Sequence, residues 1–534
     1  MESILFNGQI YTMDDQHPNC EAILIRDDKI IHIGSTDEIL KFKNAETKLI
    51  DLEGKTVIPG LNDSHLHLYS MGLYLRLVYL MGLDSIKKVK DTVKQYIEDL
   101  QIPEGGWVRG RGWNQDYFTD EVRFINKHDL DEISTDHPMY LYRACGHIMV
   151  VNSKALEVCG ITKDTEQVPG GEFDYDLGIF RENAVNLILG NVPDPSIEEI
   201  KQTLIFAMNR ANQNGLTSLQ TDDLDHLPSK DFTKMLQAYK ELHDEGRLTC
   251  RIYQQSLLPT KERLQAFLDL GYKTGVGDEY FKIGPLKLLC DGSLGARTAA
   301  LMNDYEDEPG NRGILTYTDQ DLRELVQLAI EHDMQVAIHC IGDRAMHQVL
   351  DIIEKVDHTK GKKRHGIIHC QIMDEPLMDR FKELNVLAYV QPIFLHYDMH
   401  IVKERVGEEL SKTSYAFKTL IDKQIPVILG TDSPIEAIAT LPNIYASVTR
   451  KDLNGYPNSG FNSKECLSVY EAIHGYTVMG AYASHEEAIK GQLKPGMYAD
   501  LVVLDHNIFT INKDHIKDVQ VTLTMVGGRV VYSL

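Results

Sequence analysis

Three things are scarce in this chain of 534 residues. No apolar run reaches the ~20 residues a bilayer-spanning helix needs, and the amino terminus reads as a strand rather than a basic region followed by an apolar core. No membrane partner is therefore expected, and a cytoplasmic location is. The eight cysteines form no Cys-x-x-Cys pair, which fits a reducing compartment better than a disulfide framework. Basic residues are outnumbered, 55 Lys and Arg against 79 Asp and Glu. That balance argues against nucleic acid or anionic membranes as partners, and solubility accounts for the acidic excess.

What is present begins with Val57-Ile-Pro-Gly-Leu-Asn-Asp-Ser-His-Leu-His67, a strand-like apolar run ending in His-Leu-His. Alternate residues of a strand share a face, so His65 and His67 project together and can grip one metal ion. Four later apolar segments also end in a residue of ligand or base type: Phe281–Lys287, Met334–His339, His365–His369 and Pro426–Asp432. Leu216–Thr221, Cys250–Gln255 and Val386–Gln391 fill the gaps, making eight in all. Helical stretches separate them, such as Asp319–Ile330 with its acidic start and apolar stripe. Eight alternating strands and helices predict an α/β fold, a (β/α)8 TIM-like barrel with its site at the C-terminal strand ends.

These motifs, with Leu5–Met13, Pro59–His67, Asp291-Gly-Ser-Leu-Gly295, His339-Cys-Ile-Gly-Asp-Arg344, Gly430-Thr-Asp-Ser-Pro434 and Gly491–Asp500, carry a resemblance over nearly the whole chain. The chain resembles the metal-dependent amidohydrolases, in the branch that includes N-substituted formamide deformylases and exoenzyme regulators.

The length exceeds what one compact core usually holds. Short alternating strands at both ends predict one small β-sandwich built from residues 1–58 and 485–534, as the resemblance also implies. The barrel is expected over 59–84 and 196–484, and residues 85–195 as an inserted α+β domain acting as a lid over the substrate.

Imidazole and carboxylate ligands suit zinc, with Mn²⁺, Fe²⁺ or Co²⁺ as alternatives. His65, His67 and Asp432 form one ligand set, and His339 and His369 can hold a second ion if Lys287 bridges the two, so one or two ions per chain are expected. A buried lysine can lose its proton and react with carbon dioxide to give N6-carboxylysine; the alternative is a charged Lys287 paired with a carboxylate such as Asp291. The resemblance implies the carbamate, since the superfamily places its bridging lysine on the fourth strand.

The chemistry implied is hydrolysis of a non-peptide C–N (amide) bond of a small molecule by metal-activated water, with Asp432 as general base and then acid. The resemblance further implies His147 as a catalytic donor to the substrate carbonyl and Trp113, Asp291 and Arg297 as pocket residues. Gln391, at the end of the seventh strand, is a further pocket candidate. For His147 a loop role, and for Trp113 a place in the insert's core, are the competing readings. Cys340 and Cys370 are expected to be buried packing residues. A deaminase is a lesser alternative, because His339-Cys-Ile-Gly-Asp343 lacks a His-x-x-Glu motif. A non-catalytic regulator on a hydrolase scaffold is the alternative of another class, and the intact ligand set argues against it. A homodimer is the default expectation for a soluble enzyme.

Overall fold

The computed structural model describes residues 2–359 and 361–534. Eight parallel strands form one sheet in sequence order: β1 (Leu61–Leu66), β2 (Leu216–Thr221), β3 (Arg251–Leu257), β4 (Phe281–Leu289), β5 (Val336–Cys340), β6 (Gly366–His369), β7 (Leu387–Val390) and β8 (Val427–Leu429). The segment after β8 returns to β1, where the Asp432 amide donates to the His65 carbonyl at 2.8 Å. This is a TIM-like barrel. Its strands are buried along nearly their whole lengths, as strands covered on both faces must be.

The intervening helices follow from capping and periodicity. Thr318 accepts the amide of Asp321 to start the helix Asp319–Glu331, which buries Leu322, Leu325, Val326 and Ala329 at i, i+3, i+4 and i+7. The expected helix ends one residue earlier, within the ordinary fraying of a helix terminus.

The run Val57–His67, read from sequence as one strand, is two. Thr56–Pro59 pairs antiparallel with Leu501–Leu504 in a six-stranded sheet, and β1 starts after Gly60. A Cβ on Gly60 would lie 2.2 Å from Thr217 Oγ1, so only glycine allows the chain to cross so close to β2. The six-stranded sheet also holds Gln9–Tyr11, Asn19–Cys20, Val521–Val526 and Arg529–Ser533, so strands from both ends of the chain share it. Its apolar core joins Leu5, Ile23 and Ile25 from a four-stranded sheet to Leu501, Val503 and Met525.

The chain divides into two compact units. One contains residues up to Met71, Ile200–Asp225 and Phe232–Leu534, and therefore the barrel and both terminal sheets. The other, Gly72–Glu199 with His226–Asp231, has its own six-stranded mixed sheet and an apolar core that includes Trp113, Leu130, Leu141 and Val150. Among the described residues no helix is long and apolar enough to cross a membrane.

Candidate metal centre

His65, on β1, His67, just after it, Lys287 on β4, His339 on β5, His369 at the end of β6 and Asp432 after β8 gather at the C-terminal end of the barrel. His67 Nε2 stands 3.1 Å and His65 Nε2 3.5 Å from Asp432 Oδ1. The ring centroids of His65 and His369 are 5.8 Å apart, and those of His339 and His369 4.4 Å. Ligand atoms of His65, His369 and Asp432 lie within 4.8 Å of one another, and so do those of His65, His67 and Asp222.

Glutamines set which histidine nitrogen faces inward. His65 Nδ1 is 2.6 Å from Gln255 Oε1, and His369 Nδ1 is 2.8 Å from Gln391 Oε1. An amide oxygen only accepts, so each Nδ1 carries the proton and each Nε2 keeps its lone pair for the site. Gln391, expected to line the pocket, thus orients a histidine. His67 is held from behind by Asp222, with Nδ1 3.1 Å from Oδ1. Asp63, fully buried, accepts the Thr431 amide at 3.0 Å and the Thr431 hydroxyl at 2.6 Å, fixing the turn that carries Asp432. Asp432 itself has φ of +60° and His369 +85°, conformations rare for non-glycine residues that persist where surrounding contacts hold them.

Sequence reasoning does not single out Asp222, Gln255 or Asp63. The signals were present: the acidic pair Asp222-Asp223 directly follows β2, and Gln255 closes the segment Cys250–Gln255.

Lys287 is 1% exposed, and none of the hydrogen bonds or ion pairs among the described residues involves its Nζ. Asp291, its suggested partner, is committed elsewhere. It accepts the amides of Ala300, Ile341 and Gly342 and lies 3.2 Å from His339 Nε2, which is also 3.1 Å from the Gly292 carbonyl. Arg297 pairs with Asp307 at 2.8 Å and Glu308 at 3.5 Å. Cys340 and Cys370 are fully buried.

His147 and Trp113 belong to the second unit. The His147 side chain is 66% exposed, with Nδ1 3.0 Å from Glu182 Oε2. Trp113 is fully buried, donates Nε1–H to the Leu141 carbonyl at 3.0 Å and meets Phe124 edge-on.

Burial pushes His65 and His369 well below the ordinary imidazole range, with Lys287 and neighbouring histidines adding to it, so both are neutral ligands in waiting. Burial likewise lowers Lys287, against the pull of Asp222 and Asp432. For His67 burial opposes the charge, but Asp222 and Asp432 outweigh it and hold the imidazole well above its usual value. Burial raises the Asp63 carboxyl to about 7, against its hydrogen bonds to Thr431. A proton on His67 between two carboxylates marks a place where positive charge is favoured, which a divalent ion also satisfies. Neutral imidazoles with oriented Nε2 atoms beside a carboxylate therefore fit a zinc-like ion.

The amidohydrolase family matches residues 48–532. YtcJ of Bacillus subtilis is 33% identical over 539 residues, covering 100% of this chain and 99% of that protein. The N-substituted formamide deformylase of Arthrobacter pascens is 23% identical over 98% of this chain and 97% of its own. An uncharacterized metal-dependent hydrolase from Pyrococcus furiosus superposes with a TM-score of 0.78 at 29% identity, covering 96% of this chain and 100% of that one.

Proposed function

Because the chain belongs to the amidohydrolase family and is a hydrolase, we propose that it cleaves a non-peptide C–N bond, an amide of a small molecule, at a divalent metal centre, with Asp432 moving the proton. The observation that carries this reading is the convergence of His65, His369 and Asp432, with both histidines pinned through Nδ1 by glutamines. The name of the formamide deformylase relative supports an amide substrate.

His65, His67, His369 and Asp432 would hold the ion, with Lys287, as carbamate, and His339 completing a second position. A divalent ion held there, probed first as zinc, would supply Lewis acidity, lowering the pKa of a bound water toward neutrality and polarising a carbonyl. Asp432 takes the proton of the attacking water on its carboxylate and returns it to the departing nitrogen. Asp222 accepts from His67 Nδ1 and so fixes the ring, and Nε2, which faces Asp432, would give its lone pair to the ion when one is bound. His65, Lys287 and His369 are buried, which strengthens the charge interactions they make at the site.

The test is elemental analysis of chelator-free protein joined to a hydrolysis screen of N-formyl and N-acyl amines, with Asp432→Asn as the control. Bound metal and a product amine absent from the variant support the reading. Metal-free protein with no turnover after zinc is supplied would sink it.

A further inference from the structure

At the N-terminal end of the barrel, opposite the strand ends that carry the metal centre, the first unit carries a solvent-open cavity of about 310 Å³. Its walls come from the starts of neighbouring strands: Tyr253 of β3, Lys282 of β4, Gln335 immediately before β5 and Lys363 before β6. That volume suits a small-molecule site.

The charge around it reverses that of the whole chain. Lys282, Lys362 and Lys363 line the cavity against one carboxylate, Asp333, in a chain whose acidic residues outnumber its basic ones by 79 to 55. Asp333 is shared, 2.6 Å from Lys363 Nζ and 3.3 Å from Lys273 Nζ. Lys282 Nζ is 2.6 Å from Glu486, and Arg364, next along the chain from Lys363, is 2.6 Å from Glu487. Lys362 makes no ion pair among the described residues. Among the described lining residues three ammonium groups therefore stand with one carboxylate, an excess of two positive charges.

The other polar groups are already committed. Thr274 donates its hydroxyl to the Gly284 carbonyl at 2.7 Å and accepts the Gln335 amide at 2.9 Å, and Ser484 bonds back to its own helix. The spare donors are the ammonium N–H groups, since each ammonium has three and each ion pair uses one. Ammonium groups lining one cavity with a two-charge excess suit a dianionic phosphoryl group, and the volume leaves room for an organic remainder beside Tyr253 and the lysine stems.

We propose that this cavity binds the phosphoryl group of a small phosphomonoester or inorganic phosphate, at a site separate from the metal centre. The test is titration calorimetry on the metal-loaded protein at low salt, with inorganic phosphate and with glucose 6-phosphate, comparing wild type with Lys362→Ala/Lys363→Ala. One saturable site is expected, weakened about tenfold or more in the double variant, while metal content and hydrolytic turnover stay at wild-type levels. Tighter binding of the ester assigns an organic ligand, and equal binding assigns phosphate itself. Absence of saturation at millimolar ligand overturns the proposal, and so does equal affinity in the variant, which would put the anion on the metal centre. Lys362→Glu, at an exposed position, gives the same readout if the double variant does not fold.

Discussion

Asp222 and His67 are joined through Oδ1 and Nδ1 at 3.1 Å, and the opposite nitrogen of the same imidazole stands 3.1 Å from Asp432. A carboxylate just after β2 thereby sets the orientation of an imidazole that faces the carboxylate following β8. Asp222→Asn keeps the shape but weakens the hold on the imidazole, so kcat should fall by about 10- to 100-fold while the unfolding midpoint stays near wild type. Steady-state kinetics alongside urea unfolding check this, and an unchanged kcat would remove Asp222 from the site.

With the metal centre as proposed, Gln255 and Gln391 would act on metal affinity rather than on the chemical step, since each holds a histidine through Nδ1. Gln391→Leu removes the acceptor that keeps the His369 proton on Nδ1, so zinc affinity should drop by about 10- to 100-fold. Competition with a graded series of chelators measures it. A variant that holds zinc as tightly as wild type would show that packing alone orients the ring.

Lys287→Ala should lose bound metal and regain turnover when short carboxylic acids are added, because a free carboxylate can take the place of the proposed carbamate. The same variant retaining full metal content would contradict the bridge. Labelling wild-type protein with ¹³C-bicarbonate and seeking a carbamate carbon by NMR reads the modification directly.

Glu486 predicts an acid limb of stability. Burial would raise its carboxyl, but Lys490 and Lys282, both 2.6 Å away, outweigh that and draw it down to about 2 from 4.5. A folded-state value below the unfolded one contributes stability that is complete above pH 4.5 and is lost as pH falls toward 2. Glu486→Gln should therefore be less stable near neutral pH by about 3 kcal/mol, since it leaves the buried Lys490 without its partner. The gap to wild type should narrow below pH 4.5. Urea midpoints at several pH values decide it, and a gap constant with pH would mean the carboxylate charge contributes nothing.

Much of the barrel is legible in the chain because a strand covered on both faces must be apolar, and a ligand at its end interrupts that run with a residue that packing alone does not explain. That logic finds His65, His67, Lys287, His339, His369 and Asp432. It fails for Gln255 and Asp63, which carry no charge or lie inside a run already assigned, and it reads Gln391 and Asp291 as pocket residues without revealing that each lies beside a histidine. It also merges Thr56–Pro59 with β1, because periodicity continues through Gly60 while the backbone passes from one sheet to another.

The sequence by itself determined the alternation of strands and helices and which side chains could bind a cation, because hydrophobic period and donor chemistry are local properties. Only the tertiary structure decided which nitrogen each histidine presents, that Asp222 stands behind His67, and that Lys282 of β4 and the lysines before β6 line one cavity. Those depend on distances between residues far apart in the chain, such as His65 and Gln255 or Asp63 and Thr431, and on left-handed backbone at His369 and Asp432 that local preference alone does not fix.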